Sequence, residues 1–482
     1  MTERAKRSSR VITRASHPGQ RLCRWVRHTS RVTASHRAAG RAAGTAPVPH
    51  VQPGARNGPA PAVAAPGKGL IVRHRSLLIL TTAVTAGALT LSACGSRDNN
   101  GKNDGGGEKK TVVIGVDAPL TGQNSATGLG LQYGVQIAVD DANKNNTVPG
   151  VTFKVKALDD KALPATGQQN ATALVGDDKV LGVVGPLNSG VAQSMQQVFA
   201  TANLVEISPS NTNPALTQGK EWTTGKKVRA YKTYFRTATT DAVQGGFAAE
   251  YATRTLKKKK LFVVDDKQAY GAGLATIFKQ NFVKNGGKIV GEDHVNTGDK
   301  DFSTLVTKVK NSGADLLYYG GQYDESQIIT KQLKGTGANI PLFGGDGMFT
   351  PTYIKTAGKA AEGDLATSVG VPVDTLPAAK DFIEKYKSAK YPGDYATYGG
   401  YSYDAATAII KAVKAVMDAN NGKLPDDARA KLVAAVQKSD FEGIAGHVSF
   451  DRYGDTTNKK LTAYQVKNGK WVAIKTGTYN AG

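Results

Sequence analysis

The pattern of apolar and polar positions changes character near residue 111. From there, short apolar runs alternate with helical periods. Thr111-Val-Val-Ile-Gly-Val116 reads as a buried strand, followed by a polar glycine-containing loop from Leu120 to Gly128. A helical pattern then runs through Tyr133, Ile137 and Ala138. Residues 151–157 alternate as a half-buried strand. Helices are expected over 165–175 and 189–200, with strands over 180–184 and 204–207. A second series follows Tyr234-Phe-Arg236, with helices over 242–256, 274–285, 302–312 and 328–335. Its strands are read at 261–264, 288–291, 315–319 and 341–343. A long apolar-periodic helix is expected from Tyr403 to Asp418, and a hairpin from 461–466 and 471–474. Strand–helix alternation at this spacing predicts two α/β units, each a mostly parallel sheet flanked by helices. Parallel sheets present loops and helix N-termini along one edge, so a ligand cleft is expected between the units.

Upstream of residue 111 the periodicity is absent. Residues 1–75 carry fifteen Lys and Arg against one acid, Glu3, and runs such as Gly58-Pro-Ala-Pro61 bury nothing. Such a segment cannot offset its ordering entropy and is expected to be unstructured. Arg73-His-Arg75 and the apolar run from Leu77 to Leu91 read as the charged and hydrophobic parts of a secretory signal. The run ends in Leu91-Ser-Ala-Cys94, which resembles the bacterial lipobox, whose cysteine is acylated and becomes the new N-terminus. The expected divisions are a basic extension over 1–71, the signal and lipobox over 72–94, and a flexible tether over 95–110. Signal peptides begin close to their charged region, so the extension suggests a true start at Val72, read from an alternative initiation codon.

Charge then takes a different meaning. The formal net charge is +23, but from Cys94 onward 47 basic residues face 38 acidic ones, a net +9. Lys257-Lys-Lys-Lys260 reads as a solvated face ahead of a strand, and no nucleic-acid role is assigned. Cys23 and Cys94 are the two cysteines, so a body beginning at an acylated Cys94 holds no disulfide. No Cys-x-x-Cys or His-x-x-His spacing suggests a metal. His294 and His447 are isolated, and Gly115-x-Asp-x-x-x-x-Gly122 is not a dinucleotide fingerprint. With no nucleophile and base to assemble, the expectation is a protein that is not an enzyme and needs no cofactor.

Seven local segments give the body a more specific likeness. They are Val183-Val-Gly-Pro-Leu-Asn-Ser189, Ile207-Ser-Pro-Ser-Asn-Thr-Asn-Pro214, Asp266-Lys-Gln-Ala-Tyr-Gly-Ala-Gly273, Lys300-Asp-Phe-Ser303, Leu317-Tyr-Tyr-Gly-Gly321, Gly344-Gly-Asp-Gly347 and Glu362-Gly363. In this order and spacing, the body resembles the Leu/Ile/Val-binding proteins of branched-chain amino acid ABC transporters. The resemblance implies a type I periplasmic binding protein fold, two α/β lobes joined by three hinge crossings. It places 111–236 with 370–445 in lobe 1, and 237–369 with 448–480 in lobe 2. It also implies an extracytoplasmic, lipid-anchored receptor that passes an amino acid to ABC permease subunits. A sensing receptor of the same fold, acting with a membrane signalling partner, is the alternative.

Carried over by position, the resemblance puts the α-carboxylate of the ligand on Ser189 and the Ser210–Thr212 segment. It puts the ammonium on Asp346, with help from the Ser210 carbonyl, and closes Tyr270 over both. These residues equally suit ordinary roles: Ser189 as a helix cap, Asn211-Thr212 as a turn, Asp346 as a turn carboxylate satisfied by its own amides. Two positions depart from the family pattern. Thr127 stands where an aromatic is common, and Gln322 where a tyrosine is common. Both add hydrogen-bonding capacity, which implies a ligand more polar than leucine, or a Gln322 that serves the ammonium.

Overall fold

The computed structural model describes residues 109–481. Cys94, the apolar run before it and the tether through residue 108 lie outside the described residues. Among the described residues no helix is long and apolar enough to cross a membrane.

The first unit opens with β1 (Lys110–Ala118), α1 (Ser125–Lys144), β2 (Val151–Asp159), α2 (Pro164–Val175) and β3 (Val180–Val184). It continues through α3 (Ser189–Thr201), β4 (Val205–Ser208), a short α4 (Ala215–Gln218) and β5 (Tyr234–Arg236). Its sheet has the order β2-β1-β3-β4-β5, with every pair parallel. β1 is buried from Val112 to Ala118, as a central parallel strand covered on both faces should be.

The second unit runs α5 (Asp241–Glu250), β6 (Lys260–Asp265), α6 (Ala269–Lys284), β7 (Lys288–His294), α7 (Ser303–Asn311), β8 (Leu316–Gly320) and α8 (Tyr323–Gly335). It continues with β9 (Leu342–Gly344), α9 (Pro351–Ala357) and β10 (Leu365–Val369). The chain then supplies α10 (Lys380–Ser388), α11 (Tyr395–Asp418), α12 (Ala428–Gln437) and the small pair β11 (Asp440–Glu442) and β12 (His447–Ser449). The hairpin β13 (Lys460–Lys467) and β14 (Lys470–Thr478) ends it. The second sheet has the order β14-β13-β10-β9-β8-β6-β7. It is parallel from β7 to β10, and β13 and β14 add antiparallel at one edge. α10 and α11 pack on α1, so the chain returns to the first unit after β10 and leaves it again before β13. With the passage from β5 to α5, that makes three crossings. The result is a two-lobe α/β fold with helices flanking two mostly parallel sheets.

Several boundaries differ from the periodicity: α8 starts at Tyr323 instead of Ile328 and α5 ends at Glu250 instead of Leu256, and two others bear on the site. α11 begins at Tyr395, not Tyr403: Asp394 Oδ1 accepts the Ala396 N–H at 2.8 Å and caps it. The Gly399-Gly400 pair hides those first turns from a pattern search, because a glycine pair lowers helix propensity. α6 begins at Ala269 instead of Leu274, which sets Tyr270 in its first turn.

Candidate functional site

At the carboxyl edges of the sheets, helix N-termini converge on a cavity of about 130 Å³. Gln123 and Asn124 bring α1 to it, Leu163 and Pro164 α2, Asn188 and Ser189 α3, Gln268 and Tyr270 α6, and Gln322 α8. None of these five helices has a side-chain cap on its N-terminal amides. Free N–H groups and aligned peptide dipoles from several helices favour a negative group at this point. The cavity has room for roughly four water molecules, which suits a small ligand.

Ser189 is 2% exposed and lines the cavity at the start of α3. Thr212 is fully buried, and its Oγ1 has no hydrogen-bond partner. Ser210 differs: its hydroxyl donates to the carbonyls of Leu187 at 3.1 Å and Pro186 at 3.3 Å. Thr127 spends its hydroxyl on Asn124 O at 2.9 Å and stands outside the cavity lining. Gln123 and Asn124 take that part of the wall.

Asp346 sits one layer behind the cavity, fully enclosed by polar partners. Its Oδ1 accepts from Tyr270 Oη at 2.7 Å and Gln244 Nε2 at 2.9 Å, and its Oδ2 from Tyr398 Oη at 2.8 Å. Gln244 also returns its Oε1 to the Asp346 N–H at 3.0 Å, and Tyr270 Oη accepts from the Gly347 N–H at 3.0 Å. A Cβ at Gly345 would fall against Tyr270 Oη, and one at Gly347 against Gln322 Oε1, so the flanking glycines allow this close approach. No Lys or Arg pairs with Asp346 among the described residues. Burial raises its carboxyl above the ordinary range, and the donors from Tyr270, Gln244 and Tyr398 partly oppose that.

Asp241, at the first position of α5, is a second buried carboxyl here. Gln244 Nε2 reaches it at 3.2 Å, and its N–H donates to Thr212 O at 2.8 Å. Burial, then the charge on Asp346, pushes it up to about 8. The motif Asp241-x-x-Gln244 at a helix start was visible in the sequence but carried no signal of its own. Tyr398 was hidden in the unrecognised first turn of α11.

A periodic array of contacts spans the lobes around this cluster. Asn124 donates from its backbone N–H (2.9 Å) and its Nδ2 (2.8 Å) to Asp324 Oδ2. Asn213 Nδ2 donates to Ala269 O at 2.6 Å, and Thr397 Oγ1 to Phe349 O at 2.7 Å. The lobes are closed upon one another.

A family model described as periplasmic binding protein matches residues 111–470. The chain belongs to this family. Among its relatives, Leu/Ile/Val-binding protein homolog 3 of Brucella melitensis is 33% identical over 76% of this chain and 94% of that protein. Leu/Ile/Val-binding protein BraC3 of Rhizobium johnstonii is 32% identical over the same shares. Of solved structures, the substrate binding protein LivJ of Streptococcus pneumoniae in complex with isoleucine has a TM-score of 0.68 and 28% identity, covering 77% of this chain and all of that one. The leucine binding protein LivK of Thermotoga maritima gives 0.67 and 27%, with 76% and 98% covered. These relatives put the chain in the Leu/Ile/Val-binding group of the periplasmic binding proteins, extracytoplasmic partners of ABC transporters. As in that family, the chain is a solute-binding protein without catalysis, its small ligand held in the interlobe cleft.

Proposed function

We propose that the cleft binds a free amino acid, branched-chain or more polar, and that the closed receptor delivers it to an ABC importer from a lipid anchor at Cys94. The observation that carries this reading is the pairing of two opposite environments. Five uncapped helix N-termini suit a carboxylate, with Ser189 in the lining as a further donor and the unpartnered Thr212 hydroxyl buried outside it as a second. A few residues away, Asp346 and Asp241 are buried with no cationic partner in an ion pair, a setting that an ammonium would complete. Tyr270, bonded to Asp346 and lining the cavity, joins the two ends. Gln322 in the wall supports a ligand with a polar side chain as well as an apolar one. Lobe boundaries at 111–236 with 370–445 and 237–369 with 448–480 fit the same reading.

Calorimetry tests it: refolded, ligand-stripped protein is titrated with each of the twenty amino acids. Saturable binding of at least one, lost in Asp346→Ala, is expected. Heat from none of them sinks the amino-acid reading. Membrane fractionation of a Cys94→Ser variant tests the anchor, which predicts release into the soluble fraction.

A further inference from the structure

A cavity of about 700 Å³ lies apart from the one at the helix N-termini. It is bounded by the β13–β14 hairpin, α9, the crossing after β10 and the first turn of α11. One wall is aromatic: Phe349 and Tyr464 lie 4.1 Å apart between ring centroids, with Trp471 at 5.7 Å from Phe349. Tyr395 and the crossing from Pro372 to Thr375 form the facing wall. Val472 also lines it, 39% exposed, one of few large apolar side chains this open among the described residues. Lys355, Lys470 and the one carboxylate, Asp374, border the space, and among the described residues neither lysine forms an ion pair.

We infer that this pocket is a second binding site, selective for a planar aromatic carboxylate. Its volume falls in the range of small-molecule pockets, roughly 300–1,000 Å³. The tilted aromatic wall accepts a ring by stacking or edge contact, and the two lysine ammonium groups, against the single carboxylate of Asp374, leave the border positive enough to accept an anion. The chemistry differs from that of the cleft, whose walls are amides, hydroxyls and helix N-termini.

The site is wired to the cleft by sequence proximity on two elements. Phe349, in its wall, is three residues from Asp346, and Tyr395 is three residues from Tyr398. Thr397 Oγ1, on the second element, donates to Phe349 O on the first at 2.7 Å. An occupant that presses on Phe349 and Tyr395 therefore bears on a bond, Tyr398 to Asp346, that helps tie the lobes at the cleft. Coupling of this kind needs the two elements to respond together to both ligands.

The probe is 1-naphthoate, titrated into the full body while Trp fluorescence and heat are followed. Saturable binding is expected, weakened at least tenfold in Lys355→Gln/Lys470→Gln and at least tenfold in Trp471→Leu, read by heat. Lys414→Gln, an exposed change near the far end of α11, should leave it unchanged. Amide hydrogen exchange at 347–350 and 396–398 should slow at least threefold with the probe bound. Binding that survives both wall and border variants, or that Lys414→Gln abolishes, overturns the site. So does absence of binding together with dimerisation of the protein that the same variants abolish, since a second copy is then the occupant. Should Trp471→Leu fail to fold, the border variant alone decides. Binding with unaltered exchange at 347–350 and 396–398 overturns the coupling.

Discussion

Tyr398 Oη donates to Asp346 Oδ2 at 2.8 Å, from a helix packed on the first sheet to a loop that follows β9 of the second. The bond is buried on both sides, so its loss leaves a carboxylate oxygen without a donor and without water. Tyr398→Phe is expected to cost roughly 1–3 kcal/mol of closed-state stability. The measurement is solution scattering with and without bound amino acid. The variant should be more open when empty, and should need about five- to 150-fold more ligand to close. An unchanged profile would separate this bond from closure.

A second buried pair holds the hinge. Arg236, fully buried at the end of β5, donates through Nε to Asp455 Oδ1 at 2.6 Å, across the first and third crossings. The same guanidinium donates to Asn211 O at 3.0 Å and Asn213 O at 2.8 Å, on either side of Thr212, and to the Thr217 hydroxyl. Burial alone would raise Asp455. The Arg236 charge and the Gln218 donor at 2.7 Å prevail, and hold it below the usual range. Arg236→Met therefore strands a buried carboxylate and two carbonyls, at a cost of about 3–5 kcal/mol. Urea unfolding should move accordingly, with ligand affinity falling as well because the loop at Thr212 loses its support. A change under 1 kcal/mol would show that the pair is replaceable.

Much of the architecture was legible because it rests on local patterning. Buried strands such as 112–118 and 180–184 are continuous apolar runs, and each recurs at the βα interval. Ser189 could be placed at a helix start because Pro186-Leu-Asn breaks the strand just before it. What surrounds Asp346 was not legible, since Gln244 and Tyr398 arrive from 102 and 52 residues away in the chain. No periodicity reports such a meeting. The spent hydroxyls of Ser210 and Thr127 are likewise tertiary facts: each is a plausible donor in the sequence until its nearest carbonyl is known. Two lysines bordering an aromatic wall beside the crossing after β10, Lys355 and Lys470, are 115 positions apart and met only through the fold.

Acid–base behaviour should run opposite to that of most proteins. Burial raises Asp160 and Asp364 to about 6, Asp266 and Asp404 to about 7, and Asp241 to about 8. In the unfolded chain each titrates near 4. The folded state thus holds the proton more tightly, and that stabilisation is complete below about pH 4 and lost as pH rises through 6 to 8. Asp455 acts in the reverse sense, and its contribution fades only as pH falls through its low folded value. The expected result is a ligand-free melting temperature higher at pH 5.5 than at pH 8.5. Asp241→Asn should flatten the profile up to about pH 8, most distinctly between pH 7 and 8, where the other four acids have largely titrated. A profile that rises steadily to pH 8.5 would contradict the buried-acid account.

Hydroxyl deletions in the cleft should divide by what each hydroxyl already holds. Ser189 lines the cavity at an uncapped helix start, and Thr212 Oγ1 has no partner within the protein. If each donates to a bound carboxylate, Ser189→Ala or Thr212→Val removes a donor to a buried charge, about 1–3 kcal/mol and hence roughly five- to 150-fold in affinity. Ser210 is committed to Leu187 O and Pro186 O, so Ser210→Ala should act on stability more than on binding. Thr127 is committed to Asn124 O, and Thr127→Val should weaken binding less than Ser189→Ala does. Asp346→Ala should exceed all of them, at about 3–5 kcal/mol, because a bound ammonium would lose the carboxylate nearest the cavity wall at Tyr270. Lowering the pH adds an independent check. Asp346 protonates at a higher pH than an ordinary carboxyl, so amino-acid affinity should fall on acidification earlier than for an exposed acid. Titrations of the five variants and the parent at pH 5 and pH 8 separate these roles. Equal losses at Ser189, Ser210 and Thr127 would mean that the hydroxyls act through the fold and that none of them singles out a carboxylate.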